Sequence, residues 1–145
     1  MKKVFINIIL LSILVMADYN RTSVGTVIDD STGLEWQDNY SDNNNSIKNL
    51  NWKEAIAYCE SLILDGNNWR LPNIQELNSI VNLESYKPSI ASVFENTTDQ
   101  NDYWSSSTLV DDHSLAWTVS FNFGERASHH EKNNTYYIRC VRDRQ

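Results

Sequence analysis

Cys59 and Cys140 are the only cysteines of this 145-residue chain and stand 81 residues apart. What they do depends on the compartment, and the first residues bear on that. Met1, Lys2 and Lys3 form a short basic start, Val4 to Met16 is almost unbroken apolar sequence, and Val15-Met16-Ala17 ends on a small residue. This is the pattern of a secretory signal peptide over residues 1–17, expected to be cut after Ala17. The alternative is an uncleaved anchor, but Val4 to Met16, interrupted by Asn7 and Ser12, is shorter than the roughly 20 residues of a bilayer span. No cysteine follows directly after the cut, which disfavours a lipoprotein. In an oxidising space an even number of thiols is expected to pair, and two thiols allow one intramolecular connectivity. The alternatives are a reactive thiol, a metal site or a bridge between two chains, although two isolated cysteines lack zinc-type spacing.

Residues 18–145 then form a single domain of ordinary size. Five Trp and seven Tyr supply a core that a disordered acidic tail lacks. Loss of Lys2 and Lys3 with the leader takes the formal charge from -7 to -9. That balance argues against nucleic acid or anionic lipid as a partner held by charge, and no apolar run after the leader suits a membrane. The expected location is secreted or periplasmic.

Val24 to Asp29 and Leu34 to Gln37 read as an opening hairpin around the turn residues Asp30 to Gly33. The Asn-, Asp- and Ser-rich stretch from Asp38 to Asn51 reads as a surface loop that adds nothing to the core. Asn51 and Glu54 have capping-box spacing, and Trp52, Ala55, Ile56, Cys59, Leu62 and Ile63 recur at helical intervals until Gly66. A second box, Asn73 with Glu76, opens a helix whose apolar face is Ile74, Leu77, Ile80 and Val81. Tyr86 to Asn101 is irregular. Aromatic and β-branched runs at Tyr103–Ser106, Ala116–Phe121 and Tyr136–Arg142 make the C-terminal half a sheet. In the last run Tyr136, Ile138, Cys140 and Arg142 share one face, and Tyr137, Arg139 and Val141 the other.

Five blocks in this order, Asp29-x-x-Thr32-Gly33-Leu34-x-Trp36-Gln37, Trp52-x-x-Ala55-x-x-Tyr58-Cys59, Trp69-Arg70-Leu71-Pro72-x-x-x-Glu76-Leu77, Tyr103-Trp104-Ser105-Ser106 and Arg139-Cys140-Val141-Arg142, resemble the Lcl C-terminal domain family of bacterial surface and exported proteins. The resemblance covers roughly residues 24 to 142. It implies an α+β, C-type-lectin-like fold, with two helices packed on a twisted, mainly antiparallel sheet, the chain ends together and one disulfide. The family is similar in fold to formylglycine-generating enzymes, but their chemistry needs free cysteines, which a bridge would remove. The adhesin that names the family binds sulfated glycans through a basic, trimeric surface. This acidic chain, with no collagen-like stalk, departs from that pattern.

Each conspicuous residue has a bland reading and a functional one. Trp36, Trp69, Arg70, Leu71, Pro72, Glu76 and Trp104 read as frame, because Pro before a helix cap and flanking large apolar residues suit a tight approach to a packed helix. Tyr103 and Trp117 are candidate platforms for a sugar face. Arg126, His129, His130 and Lys132, joined by Arg142 and Arg144, are a candidate anion-attracting patch. Asp99, Asp102, Asp111 and Asp112 offer oxygen donors suited to Ca2+, although without the spacing of an EF-hand. Otherwise no cofactor is expected. No nucleophile elbow, phosphate loop or metal-binding His-Glu motif occurs, so an enzyme is not expected. The expected function is an exported, non-catalytic recognition domain binding glycan or a cell-surface component. The alternatives are an assembly subunit of an envelope complex and a metal-assisted enzyme.

Overall fold

The computed structural model describes residues 18–122 and 124–144, with only the backbone course for 125–128. The expected signal peptide, residues 1–17, lies outside the described residues. The chain is α+β. Strands β1 (Tyr19–Arg21), β2 (Thr26–Asp29), β3 (Leu34–Gln37) and β4 (Asn49–Asn51) lead into helix α1 (Trp52–Ser61) and helix α2 (Ile74–Ser79). Strands β5 (Tyr103–Thr108), β6 (Leu115–Ser120), β7 (Glu125–Glu131), β8 (Thr135–Tyr137) and β9 (Val141–Asp143) follow. They form a four-stranded sheet in the order β1-β2-β3-β9 and a five-stranded sheet in the order β4-β8-β5-β6-β7. Neighbouring strands are antiparallel except β5 and β8, which run parallel through Tyr103 and Tyr137. The first and last strands form the two edges of the small sheet, so both ends of the described chain lie on it.

The two capping boxes form as the sequence spacing predicts. Asn51 accepts from the Glu54 N–H and Asn73 from the Glu76 N–H, while each glutamate accepts from its cap's own N–H. The helices are shorter than their apolar patterns. Helix α1 ends at Ser61, and Ile63, expected on its buried stripe, is 83% exposed. Helix α2 ends at Ser79, and Val81 instead bridges to Ile90.

The five-stranded sheet is covered on both faces. On one, Trp104, Ala116 and Ile138 pack with Ala55 and Cys59 of α1 and with Trp69 and Leu71. On the other, Tyr103, Val119 and Phe121 pack with Leu77 of α2, Ile80, and Val27, Trp36 and Val141 of the small sheet. The C-terminal run expected as one strand is two, β8 in the large sheet and β9 in the small one, joined by Ile138-Arg139-Cys140. Its alternation survives the crossover, since Tyr136, Ile138 and Cys140 pack in the α1 cluster and Tyr137 and Val141 in the α2 cluster. Cys140 therefore meets Cys59 of α1, and the two form a disulfide.

Among the described residues no helix is long and apolar enough to cross a membrane. The disulfide closes an 81-residue separation. In the chain-entropy account a loop of that size contributes about 4.5 kcal/mol, and removed native bridges typically cost about 2–5 kcal/mol. Replacing both cysteines by alanine should lower unfolding stability by an amount in that range in non-reducing urea titrations; unchanged stability would mean the bridge does not hold the frame.

Candidate functional site

Arg139 lies in the crossover between the two sheets, and its side chain is completely buried. A guanidinium so placed needs its charge met and its N–H groups satisfied; four of the five find acceptors, while the buried Nε finds none among the described residues. Nη1 donates to the Gln37 carbonyl at 2.9 Å and to Asp38 Oδ1 at 2.7 Å. Nη2 donates to the Asn96 carbonyl at 2.6 Å and to Thr97 Oγ1 at 2.8 Å. The cation also sits over the Phe94 ring, 4.8 Å from its centroid. Burial works against the charge, but the Asp38 carboxylate beside it outweighs it and holds the pKa of Arg139 above its ordinary value.

Asp38, equally buried, is the other half of the clamp. It accepts from the backbone N–H groups of Glu95, at 2.8 Å, and Asn96, at 3.2 Å, and it pairs with Arg21. The Asn96 amide donates to the Asp38 carbonyl at 2.6 Å. Tyr40, kept protonated because burial pushes its phenol far up, donates to the Ile138 carbonyl at 3.2 Å. One ion pair thus fixes the irregular segment 94–98 against the crossover. The stretch from Asp38 onward, expected to add nothing to the core, contributes Asp38 and Tyr40 to it.

Above the clamp lies an open cleft of about 660 Å³, within the roughly 300–1,000 Å³ of small-ligand sites. Its walls are the turn after β1, the loop after β3, the segment after α1, and Glu95 with Asn96. Asn45, Glu95 and Asn96 also line a second cleft of about 340 Å³, which Tyr137 lines as well. Asn44 and Asn45 hold positive φ of 53° and 59°, a conformation asparagine tolerates better than other residues with a side chain. That turn carries Asn45 to the wall shared by the two clefts.

The motif residues build the frame. Asp29 Oδ1 accepts from the Ser31 N–H at 2.9 Å and the Thr32 N–H at 3.3 Å, closing the hairpin turn. Gln37 donates to the Tyr58 hydroxyl at 2.7 Å and accepts from the Cys140 N–H at 3.2 Å, tying β3 to α1 and to the crossover. Trp52 and Trp104 fasten opposite elements reciprocally, with one indole donating to the Ser105 carbonyl at 2.9 Å and the other to the Leu50 carbonyl at 3.0 Å. The serines of β5 form an irregularity in the ladder that seats α2. The Ser106 N–H donates to the Pro72 carbonyl at 2.7 Å, and Ser107 Oγ accepts from the Ile74 N–H at 3.0 Å. Arg70 grips Glu76 through two 2.8 Å hydrogen bonds. Burial raises the Glu76 pKa, but Arg70 and the Asn73 N–H outweigh it and leave it lowered.

The residues singled out for ligands fare differently. Tyr103 is not a platform: it is fully buried, its hydroxyl accepting from the Thr98 N–H at 3.0 Å. Trp117 is half-buried and meets exposed His129 edge-on. His130, on the other face of β7, lies 3.0 Å from Asp102 Oδ2 and stacks on Tyr136, so the two histidines do not form a pair. Lys132 is engaged with Thr108, the His113 carbonyl and the Trp52 ring. Arg142 pairs with Glu35 over the Trp69 ring, and Arg144 pairs with Asp30. The expected anion patch is therefore not assembled from these groups; the Arg126 side chain lies outside the described residues. Nor are the four aspartates brought together. Asp99 and Asp102 precede β5, whereas Asp111 and Asp112 follow it, a strand of six residues or roughly 20 Å away. Asp112 caps its own turn through the Ser114 N–H. Among the described residues no three His, Cys, Asp or Glu side chains group as a metal site.

Residues 25–142 match the model of the Lcl C-terminal domain family, most of the chain. The chain belongs to that family. No curated protein matches it. Within this Lcl C-terminal domain, the motif residues whose contacts are given above hold elements to one another. The clefts instead depend on Asp38 and on segment 94–98, outside those blocks, and on Arg139, whose place in the last block gives no sign of its partner. A charged residue on the inward face of a strand, opposite Tyr136 and Ile138, was the available sequence signal for Arg139.

Two measurements check this construction. Arg139→Met leaves Asp38 without its most buried partner and should cost about 3–5 kcal/mol in urea unfolding; a loss under about 1 kcal/mol would contradict the clamp. Glu76 has a lowered pKa in the folded state, so its contribution is full above the unfolded carboxyl value of about 4.3 and is lost as pH falls through the folded value. Glu76→Gln should therefore cost about 1 kcal/mol at pH 7, discounted for the partial exposure of Arg70. The gap from the parent should close as pH falls below about 4; a gap that widens would reverse the sign.

Proposed function

We propose that this Lcl C-terminal domain is an exported, non-catalytic recognition domain that holds a glycan or another cell-surface component against its loop face. The observation that carries the reading is the location of the 660 Å³ cleft. It is walled by loops and turns, the usual seat of binding residues on a rigid scaffold, and pinned from beneath by a buried ion pair. The disulfide supports export, since such bridges persist in oxidising compartments. The lectin-like fold implied by the sequence blocks supports glycan as the ligand class. A second reading, an assembly subunit of an envelope complex, is favoured by Leu83 and Tyr86, both largely exposed on one loop.

Binding of the fluorescently labelled, disulfide-bonded protein to intact bacterial surfaces and to purified envelope polysaccharide tests the proposal. Saturable retention, with bound polysaccharide recovered chemically unchanged by mass spectrometry, is the expected result. Absence of retention on either, or conversion of the polysaccharide, would contradict it. Retention that Leu83→Ser with Tyr86→Ser abolishes would favour the assembly reading instead.

A further inference from the structure

Charge is the first discriminator of what the clefts can hold. Among the described residues lining either cleft, Arg21 is the only cation, and it is shared between buried Asp38 and Glu95, whose carboxylate lies 3.1 Å from Arg21 Nη2. Asp65 adds another carboxylate on the wall. A sulfate or phosphate entering there meets no cation without a partner and faces three acidic groups, so it loses its hydration without charge compensation.

The second discriminator is the kind of polar group on offer. Ser23, Ser41 and Asn45 line the larger cleft, are exposed, and make no side-chain hydrogen bond among the described residues. Asn45 and Asn96 stand on the wall common to both clefts, and Asn96 commits its Nδ2 to Asp38, while no described donor reaches its Oδ1. Amides and hydroxyls present donors and acceptors in close alternation, which matches the hydroxyls of a sugar. An extended peptide would need a row of backbone N–H and C=O groups on a strand edge, whereas these walls are mainly turns and loops. The third feature is apolar surface in both clefts. Exposed Val24 and Ile63 line the first, and half-buried Tyr137 lines the second. A pyranose ring has C–H faces as well as hydroxyl edges, and it can use both kinds of surface at once.

We infer that the two clefts form one groove for an uncharged oligosaccharide, running from Val24 and Ile63 past Asn45 to Tyr137. This rests on the recognition reading above and names its ligand class and site. The groove is independent of Ca2+, because its polar contacts come from amide, hydroxyl and paired charged groups fixed by the Asp38–Arg139 clamp.

Amide chemical-shift mapping of the isotopically labelled, disulfide-bonded protein tests the inference, with chitotetraose, maltotetraose and mannotetraose as uncharged probes and a heparin tetrasaccharide as the sulfated one. At least one uncharged probe should shift residues 22–25, 41–46, 63–65 and 95–98, with or without EDTA. Asn45→Gly keeps the positive φ while removing the amide, and should weaken that binding about fivefold to tenfold, the loss of one to two hydrogen bonds. Ser41→Trp, at an exposed position on the wall, should abolish it with the spectrum otherwise folded. Binding of the heparin probe alone, shifts confined to other surfaces, loss of binding in EDTA, or no response to any uncharged probe would each overturn the inference. If the protein is still retained on cell surfaces in those cases, only the groove and ligand class fail; loss of that retention as well removes the recognition reading.

Discussion

A guanidinium with no access to water is tolerable only where a carboxylate and several carbonyls already wait for it, and Arg139 is such a case. Its four hydrogen bonds reach the end of β3, the buried Asp38, and the segment at Asn96 and Thr97. Asp38 returns the hold through the Glu95 and Asn96 N–H groups. Without this exchange, residues 94–98 would keep the Phe94 ring and its N–H bond to Ala91, the Glu95–Arg21 pair, the Asn96 side-chain bond to the Asp38 carbonyl and the Thr98–Tyr103 contact, and would lose the hold on the Asn96 carbonyl, Thr97 and the two N–H groups. With it, an irregular segment becomes a wall. The arrangement is specific because a planar fork must meet acceptors from two separate stretches of chain, Gln37–Asp38 and Asn96–Thr97, at once.

The disulfide and the clamp divide the work between neighbouring residues. Cys140 faces α1 and joins the helix side of the large sheet, while Arg139 faces the opposite way and joins the loop side. Adjacent positions of an extended chain point to opposite faces, so a single crossover anchors both sides of the molecule. The motif blocks serve that frame, from the Asp29 turn to the Arg70–Glu76 pair that steadies the approach to α2. The polar groove lies in the loops that this frame carries.

Much of the frame was legible in the sequence because its signals are local. Capping boxes at Asn51 and Asn73, the Asp29 turn and the alternation from Tyr136 to Val141 each depend on residues a few positions apart. The two cysteines were legible because two thiols leave a single intramolecular pairing. Local patterns failed where distant contacts decide. Ile63 continues an apolar stripe, but the helix turns away at Leu62 and leaves it exposed. Asp38 opens a polar stretch with the composition of a solvated loop, and its burial depends on distant partners, Arg139, 101 residues later, with Arg21 and the Glu95 and Asn96 N–H groups. Tyr103 looked like a platform because aromatic composition does not reveal which face of a strand is covered. The cations of the expected patch are a matter of distant contacts too: Lys132, Arg142 and Arg144 each have partners elsewhere in the fold.

Native-state amide hydrogen exchange at Glu95 and Asn96 tests the role of the buried ion pair most directly. Both N–H groups donate to Asp38 from a segment without regular secondary structure. If the clamp holds the wall, they exchange only through large-scale opening, with protection close to that of the β5 and β6 core. Exchange at rates typical of an exposed loop would show that the segment opens freely, and the account of the groove as a fixed site would be wrong.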